Sequence, residues 1–190
     1  MSAVACDEAG LAAAAAVLNS GGVAVIPTDT VYGLAAHPGF PAAVERLYSI
    51  KGREARKPIA LLAADADAAA RFLGGRLPPG AAELAARHWP GALTLVLPYA
   101  DGATFEGLRV PDHAWTRRLL AACGGVLRVT SANLSGQRPA TDAEAALADV
   151  GLSADLVVDD GVSPGGTAST VVKIDAAGTV TLLRPGPIAI

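Results

Sequence analysis

A chain of 190 residues with net charge −3, 17% charged and 52% hydrophobic residues has the length and apolar content for one buried core. It has too little charge for a disordered segment or a globally basic nucleic-acid binder. Cys6 and Cys123 lie far apart, the three histidines are scattered, no run reaches 18 apolar residues, and the N-terminus lacks the basic start of an export signal. These features argue against a disulfide framework, a zinc site and a membrane span, so a soluble, cytoplasmic protein is expected.

Asp7 is placed to cap a helix that runs to about Asn19 and stops at Gly21 and Gly22. Residues 23–26, between Gly22 and Pro27, read as a short buried strand. The spacing of Val44, Leu47 and Tyr48 predicts a helix over 41–50 with Pro41 in its first turn. Residues 58–63 read as a second apolar strand, and Asp65 as the cap of a short helix. A helix over 81–88, a strand over 92–97 stopped by Pro98, and a strand over 107–110 follow. Asp112 is the expected cap of a helix to Cys123, and 126–130 is the next strand. Thr141 and Glu144 are spaced as a capping box for a helix to Val150. Strands over 156–158, 170–174 and 179–183 close the chain, the last two joined across Asp175-Ala-Ala-Gly178 as an antiparallel hairpin. This mixture predicts an α/β fold: one domain over 1–190, a twisted mixed sheet flanked by helices, with 74–80 as the best candidate for a subdomain seam.

Four polar stretches stand at strand ends. In "PTDTVYGLA" Thr28, Asp29, Thr30 and Tyr32 come together; the stretch reads as a turn or a binding rim, and Asp29 equally as a cap or a Mg²⁺ ligand. "KGREARKP" gathers Lys51, Arg53, Arg56 and Lys57 out of only 15 basic residues. Such a cluster suits a solvated helix end, where cations face the negative pole of the dipole, or a polyphosphate site. "VTSANLSG" is either a turn closing a strand or a set of neutral hydrogen bonders for a nucleotide. "SPGGTAST" adds glycines and hydroxyls before a strand, a weak signal alone. Arg109 and Arg184, near Pro111 and Pro185, read by themselves as surface cations, and the histidines as ordinary core or surface residues. Neither a GxxxxGK[ST] loop nor a GxGxxG fingerprint is present.

Taken together, "PTDTVYGL", "KGR", "KPIALL", "HWPGALTLVL", "LRVPDH", "VTSANLSG" and "STVV…LLRPG" follow one another in the order of the YrdC-like family, which the chain resembles from about Leu11 to Gly186. That resemblance implies a YrdC-like sheet with a central cavity. It implies a nucleotidyltransferase that joins L-threonine, bicarbonate and ATP into threonylcarbamoyl-AMP and pyrophosphate, with Mg²⁺ accompanying ATP. A downstream tRNA-modifying transferase complex would use the product to make threonylcarbamoyladenosine. By the same resemblance, Lys51, Arg53, Ser131 and Asn133 bind the triphosphate, with Lys51 and Arg53 as the catalytic charges and Arg56 and Lys57 beside them. Thr28, Thr30 and Tyr32 fall near threonine and its carbamoyl group, Arg109 at the threonine carboxylate, Ser169 at threonine and Arg184 at the nucleotide; no side-chain metal ligand is implied.

The reaction requires no protein nucleophile, consistent with a chain that shows no Ser-His or Cys-His set; positioning and charge neutralisation carry the rate. Carbamates decompose in water, so the "GREARKP" segment is expected to help close the cavity. Two positions depart from the family pattern: Arg128, before "VTSAN", where an apolar residue is expected, and Lys173, where an acidic one is common. Ending just after "RPG", the chain resembles the short form, without the additional C-terminal domain of longer synthases. Two other readings stay open. One is a double-stranded RNA or tRNA-binding module of this fold, with weak tRNA contact through the cation cluster. The other is a carbamoyl-adenylate domain of the hydrogenase-maturation type, which would bring further domains.

Overall fold

The computed structural model describes residues 3–52, 54, 58–99 and 101–190. Asp7 accepts a hydrogen bond from Gly10 N at 2.8 Å and starts α1 (Glu8–Asn19) after a two-residue strand β1 (Val4–Ala5). The apolar run between Gly22 and Pro27 forms β2 (Val23–Ile26), all four residues buried. β3 (Gly33–Ala36) follows, then α2 (Pro41–Lys51), ended by Gly52 in the left-handed region at φ 57°. Next come β4 (Leu61–Ala63), α3 (Ala66–Phe72) capped by Asp65, α4 (Pro79–His88), β5 (Leu93–Pro98) and β6 (Phe105–Arg109). The remainder is α5 (Ala114–Ala122), β7 (Val126–Ser131), α6 (Ala143–Asp149), β8 (Leu156–Asp159), β9 (Thr170–Ile174) and β10 (Val180–Arg184).

Sequence and structure differ at several edges. The strand expected over 58–63 narrows to β4, and that expected over 107–110 moves back to β6. His113, not Asp112, caps α5, its Nδ1 accepting from Thr116 N at 3.3 Å. Asp142, not Thr141, caps α6, because its carboxylate stands three residues before Ala145 N and accepts from it at 2.8 Å. Thr141 instead offers its carbonyl to Ser163 N at 2.7 Å. The stretch around Gly74 is no seam, since α3 and α4 bury Ala68, Ala69, Leu73, Ala81 and Ala85 in one cluster.

The strands form one mixed sheet in the order β1-β8-β2-β3-β7-β4-β6-β5-β9-β10. β2, β3, β7 and β4 run antiparallel in succession, and β9–β10 is the antiparallel hairpin expected from the sequence. Because side chains alternate along a strand, register decides which face each occupies. Val23, Val25, Leu34, Ala36 and Val157 join α2 and α6 in one apolar cluster. Ala24, Ile26, Ala35 and Leu127 face the other way, in the larger cluster that holds α1 and α5. Val129 and Ser131 continue that second face past the helices. Leu62 opposite Arg109, Val96 opposite Gly107 and Thr94 opposite Val171 carry it across the remaining strands. This part of the face is the floor of a cavity of about 690 Å³.

Candidate active site

The loop after β2 forms one wall. Thr28 Oγ1 donates to Val31 O at 2.6 Å and stands 3.0 Å from Thr30 Oγ1. Arg109 Nη1 donates to Thr30 Oγ1 at 2.8 Å, so the donor order that satisfies every group runs Arg109 to Thr30 to Thr28 to Val31 O. Arg109 also donates from Nε to Gly91 O at 2.9 Å and pairs through Nη2 with Asp29 at 2.5 Å. The arginine read as a surface cation is therefore buried, 5% exposed. Burial pushes its guanidinium below its ordinary value, and Asp29 acts in the opposite sense. Asp29, weighed as a cap or metal ligand, is the partner of this arginine.

The stretch before β9 lies against that loop. Gly165 N donates to Asp29 O at 3.0 Å, and a Cβ at Gly165 would sit 2.6 Å from the same oxygen, so only glycine fits this approach without a shift. Ser169 Oγ stands 2.8 Å from Thr94 Oγ1, a partner that sequence reading missed because 75 residues separate them. Arg184 donates to Ser169 O at 2.7 Å from Nη2 and at 3.0 Å from Nε, which ties the end of β10 to Ser169. Thr28, Thr30, Tyr32, Arg109, Ser131, Ser169 and Arg184 all line the cavity.

Lys51 and Asn133 meet as expected, but beneath the cavity wall. Lys51 Nζ donates to Ser131 O, to Asn133 O at 2.6 Å and to Asn133 Oδ1 at 3.3 Å, while Ser135 N donates to Lys51 O at 2.9 Å. Asn133 Nδ2 is committed to Leu134 O and Gln137 O at 2.8 and 2.9 Å. The end of α2 and the "SAN" turn are thus sewn together around a buried ammonium, and Ser131 is the member of the set that faces the cavity. Arg53, Arg56 and Lys57 lie outside the described residues. Tyr32 lines the cavity too, but its hydroxyl turns away, donating to Gly161 O at 2.7 Å and accepting from Asp160 N at 2.9 Å. Burial pushes that phenol up to about 12.

Arg128, the first departure from the family pattern, is half-buried and forms a forked pair with Glu106, both contacts 2.7 Å, while also donating to Ile59 O at 2.8 Å. Register puts Arg128 opposite Leu61 and Glu106 opposite Leu97, on the back of the cavity floor. Lys173, the second departure, lies opposite Val96 with Nζ 3.8 Å from the centroid of the Phe105 ring. Among the described residues no group of three or more His, Cys, Asp and Glu side chains could hold a metal, and no helix is long and apolar enough to cross a membrane.

A twisted sheet whose open face carries a buried arginine–aspartate pair and clustered hydroxyls, around a space within the roughly 300–1,000 Å³ of small-molecule sites, defines a ligand-binding α/β protein. Comparison with known proteins makes this specific: the chain belongs to the Sua5/YciO/YrdC family, described as "Telomere recombination", whose profile matches residues 16–186. It is 37% identical over 187 residues to the threonylcarbamoyl-AMP synthase of Bacillus subtilis, covering 94% of this chain and 54% of the relative. The human threonylcarbamoyl-AMP synthase is 35% identical over 190 residues, covering 93% of this chain and 67% of the relative. The crystal structure of P. abyssi Sua5 complexed with L-threonine superposes with a TM-score of 0.89 at 30% identity, covering 98% of this chain and 58% of that one. The chain thus spans between about half and two thirds of these relatives. The YrdC-like fold implied by the ordered motifs is the fold observed.

Proposed function

We propose that this chain is an L-threonylcarbamoyladenylate synthase, a nucleotidyltransferase that converts L-threonine, bicarbonate and ATP to threonylcarbamoyl-AMP and pyrophosphate. The observation that carries this reading is the union, in one cavity, of the Arg109–Thr30–Ser169 cluster with Ser131 on its lysine-tied turn. It is supported by relatives named for this product and by the likeness to a Sua5 structure complexed with L-threonine. In this reading the threonine carboxylate takes the guanidinium donors of Arg109 not committed to Gly91 O, Thr30 and Asp29, and Ser169 and Thr30 meet its polar groups.

The threonine amine attacks the carbon of bicarbonate, expelling water and forming a carbamate. A carbamate oxygen then attacks the α-phosphorus of ATP, and pyrophosphate leaves with the electrons of the broken P–O bond. Ser131, the charge of Lys51 beneath it, and Arg53, Arg56 and Lys57 along the sequence neutralise the phosphates, with Arg184 at the nucleotide. Mg²⁺, carried in on the phosphate oxygens of ATP, would share the charge that builds on the leaving group. Both cysteines are poor nucleophiles at neutral pH: burial first, and acidic neighbours for Cys6, push their thiols up to about 12 at Cys6 and about 11 at Cys123. That supports direct transfer without a covalent enzyme intermediate. The product would pass in the cytoplasm to a tRNA-modifying transferase complex.

The experiment is chromatography and mass spectrometry of a reaction with ATP, Mg²⁺, threonine and isotopically labelled bicarbonate. Label in an adenylate of threonylcarbamoyl mass is the expected result. Unlabelled products only, or a covalent adduct on the intact protein, would overturn the reading.

A further inference from the structure

The loop between β2 and β3, residues 27–32, carries Thr28, Asp29 and Thr30 and is anchored at both ends. At its start Pro27 O accepts from Thr116 Oγ1 at 2.7 Å, and Thr116 is fully buried in the first turn of α5. At its end the Tyr32 hydroxyl accepts from Asp160 N and donates to Gly161 O. His113 stands between these two anchors. Its Nδ1 lies 3.0 Å from Thr116 Oγ1 and accepts from Thr116 N. The proton of the neutral ring is therefore on Nε2, 2.9 Å from Asp160 Oδ2. These contacts close a circuit around the loop, from Pro27 through Thr116, His113 and Asp160 to Tyr32. The Asp160 carboxylate has a second donor in the Cys6 thiol. Beyond Asp160 the same segment reaches Gly165, whose N–H holds Asp29 O, and then Ser169 on the cavity wall.

Acid, imidazole and hydroxyl in series is the order of a hydrolytic triad. Here the series is not catalytic: none of the three is among the described residues that line the cavity, and the proton of the buried Thr116 hydroxyl goes to Pro27 O. We infer that His113 is a positioning residue for threonine binding, which fixes the separation of the two loop ends and so the place of Thr30 and of the Arg109 donor it receives. An imidazole suits this task because its two nitrogens face opposite ways, so one rigid ring spans Thr116 and Asp160. The His113 side chain is 14% exposed and that of Asp160 46%, so the link is a modest one, and its loss should loosen the loop without unfolding the chain. The role rests on the proposed use of threonine. It goes beyond that use in assigning part of the affinity to a histidine that touches no substrate and that residue type alone marked as ordinary.

The test is equilibrium calorimetry with threonine and with ATP, each alone so that no turnover is needed, followed by steady-state kinetics. His113→Asn keeps a side-chain cap for Thr116 N but is too short to reach Asp160. It should weaken threonine about fivefold, the order of one partly exposed hydrogen bond, and leave ATP affinity unchanged. In turnover the threonine KM should rise with little change in kcat. Asp160→Ala should also weaken threonine, and adding His113→Asn to it should have no further effect. Asp160→Asn, which keeps an oxygen for Nε2–H, should stay within about twofold of wild type. The role of His113 is refuted if His113→Asn binds threonine as wild type does, if it weakens ATP equally, or if its effect persists in the Asp160→Ala background. Thermal melting of each variant separates these results from misfolding. Threonine binding that depends on His113 in a protein that makes no adenylate would leave this role standing and remove the proposed reaction. Wild-type turnover with His113-independent threonine binding would do the reverse, and wild-type protein that binds no threonine removes both.

Discussion

Replacing Arg109 by Met separates what this residue does for the fold from what it does for substrate. The guanidinium is buried and bonded to Asp29, Thr30 Oγ1 and Gly91 O, while the Asp29 side chain is itself only 11% exposed. Removing one partner of a buried ion pair strands the other, which costs about 3–5 kcal/mol. That is a large share of the roughly 5–15 kcal/mol that stabilises a domain. The double variant Arg109→Met/Asp29→Asn strands no charge. What remains lost is the hydrogen bonding to Thr30 and Gly91, about 1–3 kcal/mol. Urea unfolding followed by circular dichroism should therefore show the double variant about 2 kcal/mol more stable than Arg109→Met alone. Substrate use should not recover with it. In both variants the KM for threonine should rise about a hundredfold or more, the order expected when a charge-assisted contact to a carboxylate is removed. If the double variant is no more stable than the single one, the pair is not coupled as its geometry indicates. If threonine KM stays at the wild-type value in both, Arg109 does not bind the carboxylate.

Lys51→Ala should lower ATP-dependent turnover at least about a hundredfold, as loss of a charge that stabilises the leaving phosphate does; full turnover would remove Lys51 from the phosphate site. The same change leaves the carbonyls of Ser131 and Asn133 without this donor, so a lowered melting temperature should accompany it. Asp155 accepts from Arg46 and from Val23 N, and the hydrogen bond from Arg46 does most to hold its carboxyl below the usual carboxylate value. A group depressed in the folded state stabilises above its unfolded pKa, about 3.9, and that stabilisation is lost as pH falls through the folded value. The stability gap between wild type and Asp155→Asn should therefore be widest near pH 6 and shrink below about pH 4. Because the side chain is 40% exposed, the ion-pair share should stay under about 1 kcal/mol; a gap that stays constant down to about pH 3 would contradict the assignment.

Where a local rule governed, the sequence was readable. Asp7 and Asp65 cap the helices they were expected to cap, and glycine and proline bound β2 as they bound its apolar run. β3 was hidden because Gly-Leu-Ala-Ala has weak strand preference. It is a strand because Gly33 lets β7 approach, where a Cβ would come 2.5 Å from Val129 Cγ1. The caps at 113 and 142 were misplaced by one residue each because the choice between adjacent capping side chains depends on which side-chain acceptor reaches the third helical N–H. At the site, ordered motifs pointed to Arg109, Ser131 and Ser169. What they could not supply were the cross-strand partners. Asp29 with Arg109, Thr94 with Ser169 and Glu106 with Arg128 are contacts 80, 75 and 22 residues apart, set by sheet order. Lys51 and Tyr32, which the resemblance implied at the ligands, carry fold contacts that it could not supply: the ammonium bonds the "SAN" turn and the phenol the segment after β8.

A single cavity that joins three substrates without a covalent intermediate is tested most directly by pyrophosphate release from ATP. The purified chain is assayed with threonine and bicarbonate each present or omitted, and with no tRNA added. Release that requires both threonine and bicarbonate, one pyrophosphate per adenylate formed, is the expected result. Release that proceeds without either of them, or that appears only when tRNA is supplied, would contradict the proposed reaction.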